Sequence, residues 1–165
     1  MVQLYLIRHA QAEDRGEKWP DDAKRPLTEV GTRQMRKAAK GLSRLGVRLD
    51  LILASPLVRA HETAQVVAAA FDPLPPIVTA ASLTPDGQFT GLLADLQKQA
   101  RHGRIALVGH EPSLGEFASR LTKARCRFEF KKGGVCRIDI ESIPPVGRGV
   151  LRWFVTPAIL RGIKG

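Results

Sequence analysis

Short apolar runs alternate with stretches of helical period along this chain, the pattern of strand–helix units that build a largely parallel sheet. Val2–Ile7 is almost continuously apolar, as a strand covered on both faces must be. The polar stretch Glu13–Arg25 reads as loop around Trp19-Pro20 and Asp21-Asp22. From Thr28 to Leu45, the residues Met35, Ala38, Ala39, Leu42 and Leu45 share one helical face, with Thr28 as N-cap and Gly46 as the left-handed residue past the end. Leu49–Ala54 reads as a second strand. Ser55-Pro56 predicts an N-cap and a proline at the first helical position. The helix they open turns Ala60, Ala64, Val67, Ala68 and Phe71 inward until Asp72-Pro73 stops it.

Pro73–Pro76 leads into a short strand at Ile77–Ala80. Phe89, Leu92, Leu93, Leu96 and Ala100 mark a third helix ending near His102-Gly103. Ile105–Val108 is a fourth strand, and Leu114, Phe117, Ala118 and Leu121 define a fourth helix. Then the pattern changes: Gly134–Ile140 and Gly149–Val155 read as a hairpin joined by the turn-rich Ile143–Arg148, and Thr156–Gly165 as a short terminal turn. The expected fold is a three-layer α/β/α sandwich, its sheet mostly parallel with an antiparallel C-terminal hairpin, in a single domain over residues 1–165.

A length of 165 residues and 44% hydrophobic content suit one domain with its own core, and exclude collagen-like, mucin-like or wholly disordered classes. The net charge of +10 is uneven. Residues 1–100 carry 13 Lys/Arg against 11 Asp/Glu, whereas residues 101–165 carry 13 against 5. Such an excess calls for an anionic partner or a solvated basic surface. Cys126 and Cys136 form no disulfide framework or metal-ligand pattern and read as buried, reduced thiols. The N-terminus lacks the features of a signal peptide, and no apolar run nears the ~18 residues of a membrane span. The expectation is a cytoplasmic protein without membrane contact.

Connectivity alone assembles a site. Ligands bind outside the carboxyl ends of parallel strands. Arg8-His9 follows the first strand, Gly109-His110 follows the fourth, and Arg59 lies in the first turn after the second. Two arginines, two histidines and helix N-termini on one rim describe a phosphate pocket. Phosphate loops of the G-x-x-x-x-G-K-[ST] and G-x-G-x-x-G types are absent, which weighs against nucleotide-cofactor readings. A metal held by both histidines with Glu13 or Glu111 is disfavoured by the neighbouring arginines.

These residues resemble the histidine phosphatase superfamily, the phosphoglycerate-mutase-like phosphatases. Leu6-Ile7-Arg8-His9-Ala10 is similar to its Arg-His-Gly signature, with Ala10 in place of glycine. Pro26-Leu27-Thr28-Glu29-Val30-Gly31 resembles its Leu-Thr-x-x-Gly element. Ser55–Ala64 is similar to Ser-x-x-x-Arg-Ala-x-x-Thr-Ala, and Val108-Gly109-His110 to its Gly-His element. Arg25-Pro26-Leu27-Thr28, Leu83-Thr84-Pro85 and Trp153–Pro157 narrow the resemblance to the SixA-type phosphohistidine phosphatases.

The resemblance implies that His9 is a nucleophile forming a phosphohistidine intermediate, with Arg8, Arg59 and His110 around the phosphoryl oxygens. Arg25 is expected as a substrate contact, and neither metal nor cofactor is implied. The general acid departs from the pattern: Ser82 stands where the family commonly has Glu, leaving Asp86, Glu13 and Asp14 as candidates. The expected substrate is phosphohistidine on a protein domain, the alternative a small phosphomonoester. A basic module binding nucleic acid or an acidic protein, using Arg125, Arg127, Lys131, Lys132 and Arg137, is the reading from another class; aromatics regularly spaced for base stacking are missing there. Oligomeric state is left open.

Overall fold

A computed structural model describes residues 1–164, so the last residue of the terminal segment, Gly165, lies outside the described part. The chain forms strands β1 (Val2–Arg8), β2 (Leu51–Ala54), β3 (Ile77–Thr79), β4 (Arg104–Gly109), β5 (Val135–Ile140) and β6 (Val150–Val155). Its helices are α1 (Glu29–Arg44), α2 (Val58–Ala68), α3 (Phe89–Lys98), α4 (Ser113–Thr122) and α5 (Pro157–Gly162), with 3₁₀ turns at Asp22–Lys24 and Ala81–Leu83. The six strands form one sheet in the order β3-β2-β4-β1-β5-β6. The pairings of β3 with β2, β2 with β4 and β4 with β1 are parallel; β5 runs antiparallel to β1, and β6 to β5.

Side chains of successive strand residues point to opposite faces, so β1 feeds two cores. Tyr5 and Ile7 join Ile52, Ala54, Ala106 and Val108 beneath α1, α2 and α5. Leu4 and Leu6 join Leu51, Leu53, Ile105 and Leu107 against α3 and α4. Each such leucine or isoleucine, withdrawn from water, contributes about 1.5–3 kcal/mol. This is the three-layer α/β/α arrangement, with an antiparallel hairpin at its C-terminal end.

Several local expectations shift. Thr28 caps α1 by accepting from the Gly31 N–H at 2.9 Å, and Gly46 adopts φ +77°, but Leu45 rotates off the apolar face and is half exposed. Helix α2 begins at Val58 with Leu57 at its cap position, and the Ser55 hydroxyl accepts from the Leu57 N–H at 3.3 Å in the turn before it. The Glu13–Arg25 loop contains a 3₁₀ turn, capped by the Asp21 carboxylate accepting from the Ala23 N–H at 3.0 Å. Ala100 is exposed beyond the end of α3. Cys136 is buried as expected, but Cys126 is exposed, lying in the irregular segment after α4.

Candidate active site

The register of the sheet brings the site together. Arg8 pairs with Gly109 at the ends of β1 and β4, so the next residues, His9 and His110, leave the sheet side by side. Their rings lie 5.0 Å apart between centroids, both almost fully buried. The His9 N–H donates to the Gly109 carbonyl at 3.0 Å. The Ala10 N–H donates to Thr63 Oγ1 at 3.0 Å, and that hydroxyl donates to the Arg59 carbonyl at 2.6 Å. A threonine on α2 thus ties the turn after β1 to the helix bearing Arg59.

The His9 Nδ1 lies 2.7 Å from the Ala10 carbonyl oxygen. A carbonyl can only accept, so Nδ1 carries the proton and Nε2 keeps its lone pair. Burial pushes the His9 pKa down to about 3, with the charges of Arg59, Arg8 and Lys132 adding to the effect against the Ala10 bond. Burial likewise lowers His110 to about 3, helped by His9, Arg59 and Arg8 and opposed by Asp22. The His110 Nε2 meets the Ser55 hydroxyl at 2.9 Å. Ser55, expected to cap α2, accepts from the Leu57 N–H ahead of that helix and also orients this imidazole.

Both histidines are therefore neutral in the folded protein, and pH dependence follows. An unfolded histidine takes up a proton below about pH 6.5, whereas these do so only near 3. Between those values the unfolded state binds more protons, so stability falls as pH drops, by up to about 1.4 kcal/mol per pH unit for each histidine. Urea unfolding at pH 7 and pH 5 checks this. The loss on acidification should be smaller in His110→Asn than in the wild type; equal losses would contradict it.

Arg59 is buried in the first turn of α2 and grips the 3₁₀ turn. Its Nη1 donates to the Asp22 carbonyl at 2.8 Å and its Nη2 to Asp22 Oδ2 at 3.0 Å. Arg25 donates through Nε to Asp22 Oδ1 at 2.8 Å, and Arg15 Nε reaches the same oxygen at 2.8 Å. Burial alone would raise the Asp22 carboxyl; hydrogen bonds from Arg25 and Arg15 and the charge of Arg59 overcome it and hold it at about 2. Arg8 donates through Nη1 to the Phe130 carbonyl at 2.6 Å. Among the described residues, the buried side-chain nitrogens and oxygens without a partner are Arg8 Nε, Arg59 Nε, His110 Nδ1, Trp19 Nε1 and Glu111 Oε2. The first three belong to this site.

The profile of the histidine phosphatase superfamily (branch 1) matches residues 4–84, and an uncharacterized protein of Picosynechococcus sp. is 36% identical over 139 residues, covering 81% of this chain and 82% of that protein. The chain belongs to the histidine phosphatase superfamily. It is a SixA-like phosphatase, a hydrolase. The phosphohistidine phosphatase SixA of Escherichia coli (strain K12) is 24% identical over 165 residues, 99% of each chain. The structure of the protein histidine phosphatase SixA complexed with tungstate superposes with a TM-score of 0.85 at 24% identity, covering 96% of this chain and 99% of that one. The α-ribazole phosphatase of Shigella flexneri shares the fold at a TM-score of 0.73 and 21% identity, over 99% and 100% of the two chains.

Within this superfamily fold, the carboxylates proposed as acids stand apart. Ser82 is buried and donates to Asp95 Oδ2 on α3 at 2.8 Å. Asp86 and Asp14 are exposed, and Glu13 engages Arg25 through its backbone carbonyl. None of their carboxylates contacts His9 or His110 among the described residues. The acid that does reach the site is Asp22, in a stretch whose sequence reads as loop; its place three residues before Arg25 is the available signal. No group of three or more His, Cys, Asp or Glu side chains suited to a metal ion occurs among the described residues. No described helix is long and apolar enough to cross a membrane.

Proposed function

We propose that this phosphatase, acting as a single domain over residues 1–165, removes the phosphoryl group from phosphohistidine on a protein, with His9 as nucleophile. The observation that carries the reading is a neutral His9 whose ring lies 5.0 Å from that of His110 and whose pKa is lowered by the nearby charges of Arg59 and Arg8, two arginines whose Nε atoms are buried without a partner. Buried donors without partners call for a ligand acceptor, and a tetrahedral oxyanion supplies several at once. Tungstate, the ligand of the SixA structure, is such an oxyanion.

In the first step the lone pair on His9 Nε2 attacks phosphorus, forming an N–P bond as the substrate's N–P bond breaks; the departing imidazole takes a proton from water. In the second, water attacks phosphorus, the His9 N–P bond breaks, and inorganic phosphate leaves with His9 neutral again. Arg8, Arg59 and His110 hold the equatorial oxygens, and positioning with electrostatic stabilisation accounts for most of the catalysis. Arg25 serves the substrate through the Asp22 network. Neither metal nor cofactor enters this scheme.

The carboxylate that reaches the site, Asp22, is held ionised at about 2 and so is a poor proton donor, which favours phosphohistidine over a phosphomonoester. An alkoxide leaving group needs a proton far more than an imidazole does, and transfer from one imidazole nitrogen to another is close to thermoneutral. The small-phosphomonoester reading draws on the fold shared with the α-ribazole phosphatase. A substrate panel separates the two. Turnover of a phosphohistidine peptide with kcat/KM at least about 100-fold above that for sugar phosphates is expected; the reverse order would overturn the reading.

A further inference from the structure

Five lysines and arginines cluster in the segment that follows α4, whereas four arginines elsewhere in the basic C-terminal region are paired. Arg104 is paired with Asp50, Arg120 with Glu116, and Arg137 and Arg152 both with buried Asp139. Lys123, Arg125, Arg127, Lys131 and Lys132 are all exposed, and none has a carboxylate partner among the described residues. The one acid among them is Glu129, also exposed.

Their arrangement follows an alternation. Phe128 and Phe130 are buried, with the Phe130 ring 4.6 Å from that of Phe154, while Arg125, Arg127, Glu129 and Lys131 stay in water. Anchored by its two phenylalanines, the segment becomes a ridge. It turns back along α4 toward the catalytic rim: Ser119 Oγ donates to the Cys126 carbonyl at 2.9 Å, and Glu111 Oε1 accepts from the Phe130 N–H at 3.3 Å. Gly115 lets the backbones touch, since a Cβ there would run into the Phe128 carbonyl. At its end the Gly133 N–H donates to the carbonyls of both Arg8 and His9 at 3.1 Å. Arg125 to Lys131 can span at most ~22 Å. A cavity of about 390 Å³ lies beside the ridge, lined by residues including Pro112, Gly115, Ser119 and Cys126.

We infer that this ridge is a docking track for the acidic surface of the protein that carries the phosphoryl group, delivering it to His9. The inference rests on the protein-phosphohistidine reading above. Unneutralised cations on a preorganised backbone leading to the nucleophile raise encounter rate and hold orientation without touching the chemistry. Single-stranded nucleic acid is the poorer fit, because the aromatics of the ridge are buried and offer no face for a base.

The test uses two phosphohistidine peptides, one flanked by four glutamates and one by four glutamines, with free phosphohistidine as the small substrate. At low salt the wild type should favour the glutamate peptide by about tenfold in kcat/KM, and the preference should fade in 0.5 M salt. In the triple variant Arg125→Glu, Arg127→Glu, Lys131→Glu the preference should vanish or reverse, while free phosphohistidine is turned over within about twofold of wild type. A preference unchanged in the variant overturns the track, as does loss of single-stranded RNA binding with the peptide preference intact. Failure of the wild type on free phosphohistidine and on both peptides would overturn the proposed function instead. In that event, anisotropy of the unphosphorylated glutamate peptide still decides the ridge, with equal affinity for wild type and variant counting against it.

Discussion

A His9→Ala variant is expected to form no phosphoenzyme and to lose at least about 10³-fold in turnover. A phosphoramidate bond is labile in acid and stable in base, so label trapped on the wild type should survive alkali and disappear on brief acid treatment. The variant should carry none. The expectation depends on the tautomer that the geometry implies, in which the Ala10 carbonyl accepts from the Nδ1 proton and Nε2 is left free. It depends equally on burial and nearby cations keeping the ring unprotonated well below neutral pH. Label retained by the variant with the same stability would move the nucleophile to another residue, with His110 the first to examine.

Arg59→Ala is expected to cost about 10²–10³-fold in kcat/KM, and Arg59→Lys to recover less than a tenth of that loss. The reason is the division of labour within one guanidinium. Its Nη1 and Nη2 are committed to Asp22, while its Nε is buried without a partner. Lysine provides a point charge and cannot serve both. Removing this cation should also raise the His110 pKa, since Arg59 is among the charges that lower it. A proton NMR titration of the His110 ring reads that shift independently of turnover. Full activity in Arg59→Lys would show that charge alone suffices, and the bidentate argument would fall.

The arrangement around Asp22 explains why no acid emerged from the linear order of residues. Glu13, Asp14 and Asp86 were reasonable by position, yet their carboxylates stay away from the two histidines among the described residues. Asp22 arrives by way of a 3₁₀ turn and is held ionised by three arginines. It serves to orient Arg59 and Arg25, and a carboxylate so strongly paired is a poor proton donor near neutral pH. Ser55 carries the same lesson. A serine before a proline reads as a helix cap, but its hydroxyl lies against an imidazole 55 residues away, and α2 starts later with no side-chain cap.

What the amino-acid order determined by itself was everything set by local period and by connectivity. The apolar repeats mark the strands and the helices, and the rule that parallel strands end at one edge puts Arg8, His9, Arg59 and His110 on a common rim from connectivity alone. Hydrophobic patterning is legible because each position needs only its neighbours within a turn or a pleat. The tertiary structure alone decided which polar groups meet. Asp22 and Arg59 are 37 residues apart, and Arg8 and Phe130 are 122 apart. Whereas the tautomer of His9 is set by the carbonyl of its sequence neighbour Ala10, such contacts and burial set the neutral state of both histidines and the course of the basic ridge. They depend on burial and on distances through space, and neither is encoded in any local stretch of the chain.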